Sequence, residues 1–186
     1  MKNNVKTSKI WQSIIENTVL TKVLSFLSEY PNEAYTGTEL AEKLGKTRMA
    51  IFLSLTTLAK EGLIERESRG KVYLYKIISE NPIVKQFKVL KNILMLEPLI
   101  KKLKGVSKKI VLYGSASRGE DTAKSDIDLL VISNNIDFVK KQMQEFKFKR
   151  KIEAKVFTPS GLADLKSKEK VFYEEIDRGI TLWEGE

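Results

Sequence analysis

Residues 112–120 read LYGSASRGE and residues 125–131 read SDIDLLV, and these two stretches decide the fold of the second half of the chain. The first stretch predicts a strand that runs into Gly114-Ser115 at the start of a helix. Free backbone N–H groups and the helix dipole favour a phosphate at such a position. Gly114 lets the backbone approach a ligand, and the Ser115 hydroxyl can donate to a phosphate oxygen. We therefore expect a phosphate group at this turn.

Asp126 and Asp128 stand at the start of the next predicted strand. Because they differ by two, their carboxylates point to one face of the sheet while Ile127 points into the core. Two carboxylates held close repel each other and need a cation between them. Mg²⁺ (or Mn²⁺) suits a carboxylate site that faces phosphates, as one ion or as a pair for in-line phosphoryl transfer. A third carboxylate from the following strand would complete the site, and Glu153 is the candidate.

Each of these residues also has a plainer interpretation. An Asp-x-Asp triplet alone is more often a turn or a strand end than a metal site. The upstream Gly-Ser pair and the apolar run at 129–132 favour the metal site in this chain. Glu153 could equally be a solvated strand residue, and Arg118 could equally pair with groups of its own helix.

The combined motif resembles the signature of the polymerase-β-like nucleotidyltransferase superfamily, and its minimal members in particular. The resemblance rests on the Gly-Ser pair, a gap of ten residues and the Asp-x-Asp triplet. Arg118-Gly119-Glu120, Ser125 and the ending at 172–183 are similar to that family too. The likeness covers roughly residues 105–186, and it implies a nucleotidyltransferase fold for that part of the chain.

The resemblance assigns roles to residues in this half. It implies that Mg²⁺ and a nucleoside triphosphate bind there, with Gly114, Ser115 and Arg118 at the triphosphate and Asp126, Asp128 and Glu153 at the metal ions and the reacting groups. The third acid would activate the acceptor hydroxyl. Glu153 stands where active members commonly carry aspartate, and some relatives carry no acid there.

Strands and helices alternate in this half, which indicates an α+β fold with a mixed sheet. The predicted strands are 109–113, 127–133, 151–157 and 180–183, and the predicted helices are 115–120, 136–146 and a helical stretch over 160–177.

The first half predicts three short helices followed by a β-hairpin, which is the order of a winged helix-turn-helix. The helices are 18–30, 36–44 and 47–61, and the hairpin strands are 63–66 and 72–75 around a turn at 68–71. Thr36 with Glu39 three residues later forms a helix-start signature, and Gly45 ends that helix.

Residues from about 10 to 80 resemble the winged helix-turn-helix of small transcription regulators, on the stretches 37–45 and 58–66. In such a module the third helix enters the major groove and the wing touches phosphates. The resemblance implies a double-stranded DNA surface made of Lys46, Thr47, Arg48 and Ser54 on the helix and Arg66, Arg69 and Lys71 on the wing. Residues 1–80 hold 12 basic and 9 acidic residues, a surplus of only 3, and Phe52 stands where a recognition helix is usually polar. A protein–protein module is the alternative.

We divide the chain into residues 1–80, a bridging helix over 81–104 and residues 105–186. An apolar stripe on the bridge, with Phe87 and Leu94 among its members, favours packing against the next domain. A dimer seam is the second interpretation, and together with winged-helix habit it leads us to expect a homodimer.

Composition excludes several classes of chemistry. The chain has 186 residues with no cysteine and no histidine, which excludes disulfides, thiolate metal sites and imidazole-based catalysis. A net charge of +9 favours phosphate-rich partners, although an ordinary lysine-rich surface explains it equally well. No apolar run is long enough to span a membrane and the amino terminus lacks a signal-peptide pattern, so we expect a cytoplasmic protein with no membrane partner.

Three functions follow from these patterns. The first is an enzyme that transfers a nucleoside monophosphate from an NTP, with ATP as first choice, to an acceptor hydroxyl on a protein such as a partner toxin. The second is a non-catalytic, nucleotide-sensing winged-helix regulator or antitoxin. The third is an interaction module that binds a partner protein through the bridging helix and Phe52.

Overall fold

The computed structural model describes residues 18–146, 148 and 150–185. These residues fall into two compact units that divide after Lys88. Residues 1–17, which the sequence assigns to the winged-helix module, lie outside the described residues. None of the helices in the described part of the chain is long and apolar enough to cross a membrane.

The first unit has the helix and strand order of a winged helix-turn-helix, as predicted. Its elements are α1 (Val19–Glu29), β1 (Tyr35–Thr36), α2 (Gly37–Leu44), α3 (Arg48–Lys60), β2 (Ile64–Arg69) and β3 (Val72–Ile77). The short β1 was not predicted, because two residues are too few to show a period of two. It pairs with β3, and the antiparallel order of the sheet is β1-β3-β2.

Local signals account for the helices of this unit. Thr36 and Glu39 form a complete capping box at the start of α2, and Gly45 ends that helix in the left-handed region at φ 59°. Helix α3 buries Ile51 and Leu55 in the core of the unit. Each end of α2 is therefore determined by its own residues.

The hairpin is tighter than the sequence predicted. The strands extend to Arg69 and restart at Val72, which face each other in the register, so the turn consists of Gly70 and Lys71 alone. Gly70 has a φ of 62°, as a two-residue hairpin turn requires.

The second unit is an α+β fold around a mixed four-stranded sheet, which confirms the prediction. Its elements are β4 (Lys109–Tyr113), α5 (Gly114–Arg118), β5 (Ile127–Ile132), α6 (Ile136–Glu145), β6 (Ile152–Phe157), α7 (Pro159–Lys168), α8 (Lys170–Asp177) and β7 (Ile180–Glu184). The strand order is β6-β5-β4-β7, with β5 and β6 parallel and the other pairs antiparallel.

Both faces of β5 are buried. Ile127, Leu129 and Val131 belong to a core cluster that also contains residues of α6, whereas Leu130 and Ile132 pack with residues of α7 and α8. A central strand covered on both sides reads as a continuous apolar run, which explains the sequence from residue 129 to 132.

Helix α4 (Pro82–Leu103) corresponds to the predicted bridge over 81–104, and the division after Lys88 falls inside it. Val84 is buried in the core of the first unit, and Leu96 is buried in the core of the second. The first part of the apolar stripe is thus buried in the core of the first unit, and the second part is buried in the core of the second unit.

Two helix predictions were longer than the structure shows. The helix predicted over 115–120 ends at Arg118, because Gly119 turns into the left-handed region at φ 69°. The helical stretch over 160–177 is two helices, α7 and α8, which are separated by Glu169 at φ −127° and ψ 61°. No glycine or proline marks that break, so the sequence pattern did not show it.

Candidate nucleotide and metal site

Gly114 forms the turn between β4 and α5, and its conformation requires glycine. Its φ is 67°, and a Cβ at this position would overlap a carboxylate oxygen of Asp128 and lie 3.1 Å from the Asp128 Cγ. Left-handed backbone disfavours a side chain by itself, and here the space is taken as well. The predicted phosphate turn and one of the predicted metal ligands are therefore direct neighbours.

Asp128 lies between two other site residues in the register of the sheet. It faces Tyr113 on β4 and Glu153 on β6, while its neighbour Ile127 is fully buried on the opposite face. Residues that face each other in adjacent strands point to the same side of the sheet. Glu153, the candidate for the third carboxylate, thus lies beside Asp128 on the neighbouring strand.

The surroundings of Asp128 disfavour its negative charge. Partial burial raises the pKa of the Asp128 carboxyl above its ordinary value, and the negative charges of Glu153, Glu175 and Asp126 raise it further, against a smaller opposing effect of Lys155. Burial and the charge of Asp128 likewise raise the pKa of the Tyr113 hydroxyl. A cluster of like charges at one position is a common mark of a functional site.

Asp126 precedes β5 and is held by Lys151. The Lys151 Nζ donates to Asp126 Oδ2 at 2.8 Å and to Glu153 Oε2 at 3.4 Å. The hydrogen bond from Lys151 to Asp126 is the main reason that the pKa of the ammonium group is raised. A positive charge therefore bridges two of the three predicted metal ligands.

The carboxylate set fits a magnesium ion that also binds phosphate. Within residues 18–146, 148 and 150–185, no group of three or more acidic side chains is arranged to hold a metal ion. Mg²⁺ sites of nucleotide enzymes commonly use one or two carboxylates and complete their shell with substrate phosphates and water. Asp128, which lies against the turn at Gly114, and Asp126, two residues before it, are the candidate pair of hard oxygen ligands.

The remaining predicted phosphate ligands lie on α5. Ser115 is half-buried at the start of the helix. Arg118 is exposed at its end, where its guanidinium pairs with Glu120 at 2.9 Å and with Glu175 at 3.8 Å. The pairing with Glu120 is the local alternative that the sequence left open for Arg118.

Comparison with known proteins identifies this half of the chain. Residues 95–186 match the family model described as polymerase beta nucleotidyltransferase. The second unit belongs to this family.

Two solved structures show a distant likeness. A possible transcriptional regulator from Methanosarcina mazei Go1 is 18% identical over 52% of this chain and 85% of its own, with a TM-score of 0.35. TrmBL2, an archaeal chromatin protein, is 16% identical over 89% of this chain and 73% of its own, with a TM-score of 0.29. Both scores are below 0.5, so neither likeness bears on the fold or function of this chain. No curated protein matches the chain.

The nucleotidyltransferase domain has three charged residues at this site that the sequence analysis did not assign. Glu175 on α8 contributes to the raised pKa of Asp128, Lys155 follows Glu153 on β6, and Lys151 immediately precedes that strand and bonds to Asp126. Alternation along β6 places Glu153 and Lys155 on one face, so Lys155 could have been found from the period of two. Glu175 could not, because its position depends on where α8 packs.

The predicted DNA surface on α3 is only partly exposed. Thr47 and Arg48 are exposed, and the Thr47 hydroxyl accepts from the Ala50 N–H as the helix cap. Ser54 is 6% exposed and its hydroxyl donates to the Ala50 carbonyl at 2.8 Å. Ser54 therefore faces the interior of the winged-helix unit, and it is dropped from the DNA-binding set. Lys46 is half-buried.

The wing presents its three basic residues to solvent. The Arg66 Cζ lies 4.1 Å from the centre of the Tyr73 ring. The Arg69 Nε lies 3.2 Å from Glu67 Oε1, and Lys71 is exposed in the turn of the hairpin.

The exposed side of α3 carries three large apolar side chains beside the polar residues Arg48, Thr56, Thr57 and Lys60. Its exposed side chains include Met49 at 66%, Phe52 at 56% and Leu53 at 58% of their full exposure. Three large apolar side chains together on an exposed surface are unusual for a helix that reads DNA, and they are typical of a surface that binds a protein.

Proposed function

We propose that the second unit transfers a nucleoside monophosphate from an NTP, with ATP as first choice, to a hydroxyl group of a protein. The observation that supports this most strongly is the fit between Gly114 and the Asp128 carboxylate. Because Gly114 has no side chain, the Asp128 carboxylate can lie directly against the turn. The proposed phosphate site and a proposed ligand of the cation are therefore adjacent. Membership of the polymerase beta nucleotidyltransferase family supports the same reaction class.

In this proposal the residues of the chain position the two reactants. The Gly114 turn and the Ser115 hydroxyl hold the triphosphate, and Asp126 and Asp128 hold Mg²⁺, which would neutralise the phosphate charge and orient the leaving group. Glu153 accepts the proton of the acceptor hydroxyl. The acceptor oxygen forms a bond to the α-phosphorus, the bond from that phosphorus to the bridging oxygen of the β-phosphate breaks, and pyrophosphate leaves with the electron pair.

Transfer of label tests this proposal. The wild-type protein, with Mg²⁺ and extract from the source organism, is incubated with α-labelled ATP and separately with the other NTPs. A variant with Asp126→Asn and Asp128→Asn removes the metal ligands, and Asp137→Asn on the exposed start of α6 is the matched control. Label on one protein band with the wild type and the control, but not with the double variant, establishes the enzyme. Label on RNA would establish transfer and refute the protein acceptor.

Glu153→Gln is expected to lower the rate of transfer by about 10²-fold, because general-base catalysis by a positioned side chain contributes about 10²–10⁴-fold. Nucleotide affinity is expected to change by less than about threefold, since the base acts on the acceptor and not on the triphosphate. Initial rates and equilibrium binding of ATP with Mg²⁺ give the two values. Glu145→Gln on α6 is the control, and equal rates for Glu153→Gln and wild type would remove Glu153 from the proposed reaction.

For the winged-helix unit we propose double-stranded DNA binding by Lys46, Thr47 and Arg48 on α3 and by Arg66, Arg69 and Lys71 on the wing. Five of these six residues are basic, and the order of helices and strands in the unit suits binding in a DNA groove. The apolar face of Met49, Phe52 and Leu53 favours a second candidate, in which α3 binds a partner protein. The candidates differ in which residues they need.

Lys71→Ala is expected to weaken DNA binding at every sequence and to lower the slope of log K against log salt by about 0.9 for each phosphate that the protein no longer neutralises. Phe52→Ser is the matched change on α3. Under the DNA proposal it leaves the salt slope unchanged, because an apolar side chain neutralises no phosphate. Fluorescence anisotropy with duplex DNA at several salt concentrations measures both. No change of anisotropy with the wild type at any salt concentration would contradict the DNA proposal and leave the protein partner as the candidate.

A non-catalytic role is the alternative for the whole chain. In that case the second unit binds nucleotide with metal but transfers nothing, and the chain acts as a nucleotide-sensing regulator or as an antitoxin paired with a toxin. Metal-dependent ATP binding without transfer to any acceptor would favour this role. In either role we propose a homodimer.

A further inference from the structure

A buried polar cluster of Asn92, Asp121 and Arg150 lies next to the candidate site. Asn92 and Asp121 are 4% and 3% exposed. The Arg150 Nη1 donates to Asp121 Oδ2 at 2.5 Å and to Asn92 Oδ1 at 3.3 Å, and the Asn92 amide donates to Asp121 Oδ1 at 3.2 Å. A buried charge pair of this kind is expensive to desolvate and adds little to stability over an apolar core, so its role needs an explanation beyond stability.

The cluster is bonded to the backbone that carries the site residues. The Arg150 Nε donates to the carbonyl of Ser125 at 2.9 Å, and its Nη2 donates to the carbonyl of Asp126 at 3.3 Å. The Asn92 amide donates to the carbonyl of Ala116 in α5 at 3.1 Å. One end of the cluster therefore holds the segment with a metal ligand, and the other end holds the helix that follows Gly114.

We propose that Asn92, Asp121 and Arg150 are positioning residues that fix the distance between the Asp126 segment and the Gly114 turn. This inference rests on the proposed function, since it assigns the cluster to the same site. Arginine suits the task because its planar guanidinium can donate to several acceptors in fixed directions, whereas a lysine ammonium is a point charge on a flexible chain. Outer partners of metal ligands commonly contribute to affinity in this way.

Arg150→Lys is the first test variant, because it keeps a positive charge for Asp121 and removes the fork to the two carbonyls. Arg150→Met with Asp121→Asn is the second, since it leaves no unpaired buried charge if the first variant folds poorly. Val139→Ala is the control, because Val139 is fully buried in the core of the same unit and its truncation lowers stability without touching the cluster.

Two measurements are made well below the unfolding temperature. Binding of Mn²⁺ in the presence of a non-hydrolysable ATP analogue, followed by electron paramagnetic resonance, is expected to be about 10–100-fold weaker in both cluster variants and within about twofold of wild type in Val139→Ala. Trypsin cleavage after the exposed Lys124, identified by mass spectrometry, is expected to be faster in the cluster variants only. Lys124 lies in the loop between α5 and β5, and these variants no longer anchor that loop.

The outcomes separate this inference from the proposed function. Weaker Mn²⁺ binding in the cluster variants with normal binding in the control supports positioning. Wild-type affinity in both cluster variants overturns it even if the loop is cleaved faster, and so does an equal loss of affinity in Val139→Ala. If the wild type binds no Mn²⁺ even with the ATP analogue, or if Asp126→Asn with Asp128→Asn leaves that binding unchanged, the proposed function itself fails, and the inference fails with it.

Discussion

Asp128→Asn should lower nucleotide transfer by about 10³-fold or more while the protein stays folded. A bound cation contributes several kcal/mol of charge stabilisation in the transition state, and each 1.36 kcal/mol corresponds to a factor of ten in rate. The carboxamide keeps the shape of the side chain beside Gly114 but lacks the negative charge that holds the ion. The measurement is the initial rate of label transfer from ATP at saturating Mg²⁺, with the Asp137→Asn variant as control.

The same substitution is expected to raise the melting temperature of the unliganded protein at neutral pH. Burial and the charges of Glu153, Glu175 and Asp126 raise the folded-state pKa of Asp128 above its value in the unfolded chain. The folded state then binds a proton more tightly than the unfolded state, so stability falls as pH rises through the window between the two pKa values. Asparagine removes this penalty.

The difference in melting temperature between Asp128→Asn and wild type should therefore be largest at neutral pH. It should shrink as pH falls towards the ordinary aspartate pKa of about 3.9, because the wild-type carboxyl becomes protonated in both states. Thermal unfolding without metal at several pH values measures this trend. A variant that is both active and less stable than wild type at pH 7 would show that Asp128 has a structural role and not a metal-binding one.

Gly114→Ala is the second change with a large expected effect, because it damages both stability and activity. Left-handed backbone costs a residue with a Cβ about 1–2 kcal/mol, and a total of about 1–3 kcal/mol is typical for a strained site. Here the new methyl group also overlaps the Asp128 carboxylate. For a unit of this size we expect the melting temperature to fall by about 5 °C or more and transfer to drop below detection.

Gly105→Ala is the matched control for this substitution. An added Cβ at Gly105 meets nothing within 4 Å, and the residue does not have a positive φ. Its stability is expected to stay within about 1 kcal/mol of wild type, because alanine restricts the unfolded chain and adds no clash in the folded one. Calorimetry and the transfer assay compare the two variants. Wild-type stability and activity in Gly114→Ala would contradict the proposed union of phosphate turn and metal ligands.

Much of the fold follows from local patterns. The central strand β5 is an apolar run, the capping box at Thr36 and Glu39 starts α2, and the hairpin has a glycine at its turn. Each of these signals lies within a few residues of the element that it predicts. The short strand β1 and the break at Glu169 lack such a signal, and they follow from pairing with β3 and from the packing of two helices on the sheet.

Some features of the candidate sites likewise follow from the local sequence, and others depend on packing. The period of two along a strand predicted that the Asp126 and Asp128 carboxylates point to one side of the sheet, and Glu153 was the candidate for a third carboxylate from the next strand. The resemblance to a winged helix-turn-helix implied that Ser54 faces DNA, but the burial of Ser54 depends on the packing of α3 in its core.

The sequence by itself determined the turn at Gly114, the spacing of the two aspartates and the order of most of the helices and strands, because these depend on backbone conformation over a few residues. Only the tertiary structure decided that Glu175 and Lys151 share the site with them, and that Asn92, Asp121 and Arg150 meet behind it. These residues are separated by tens of positions in the chain. They come together through the strand order β6-β5-β4-β7 and the packing of α4 and α8, and no local period encodes those distances.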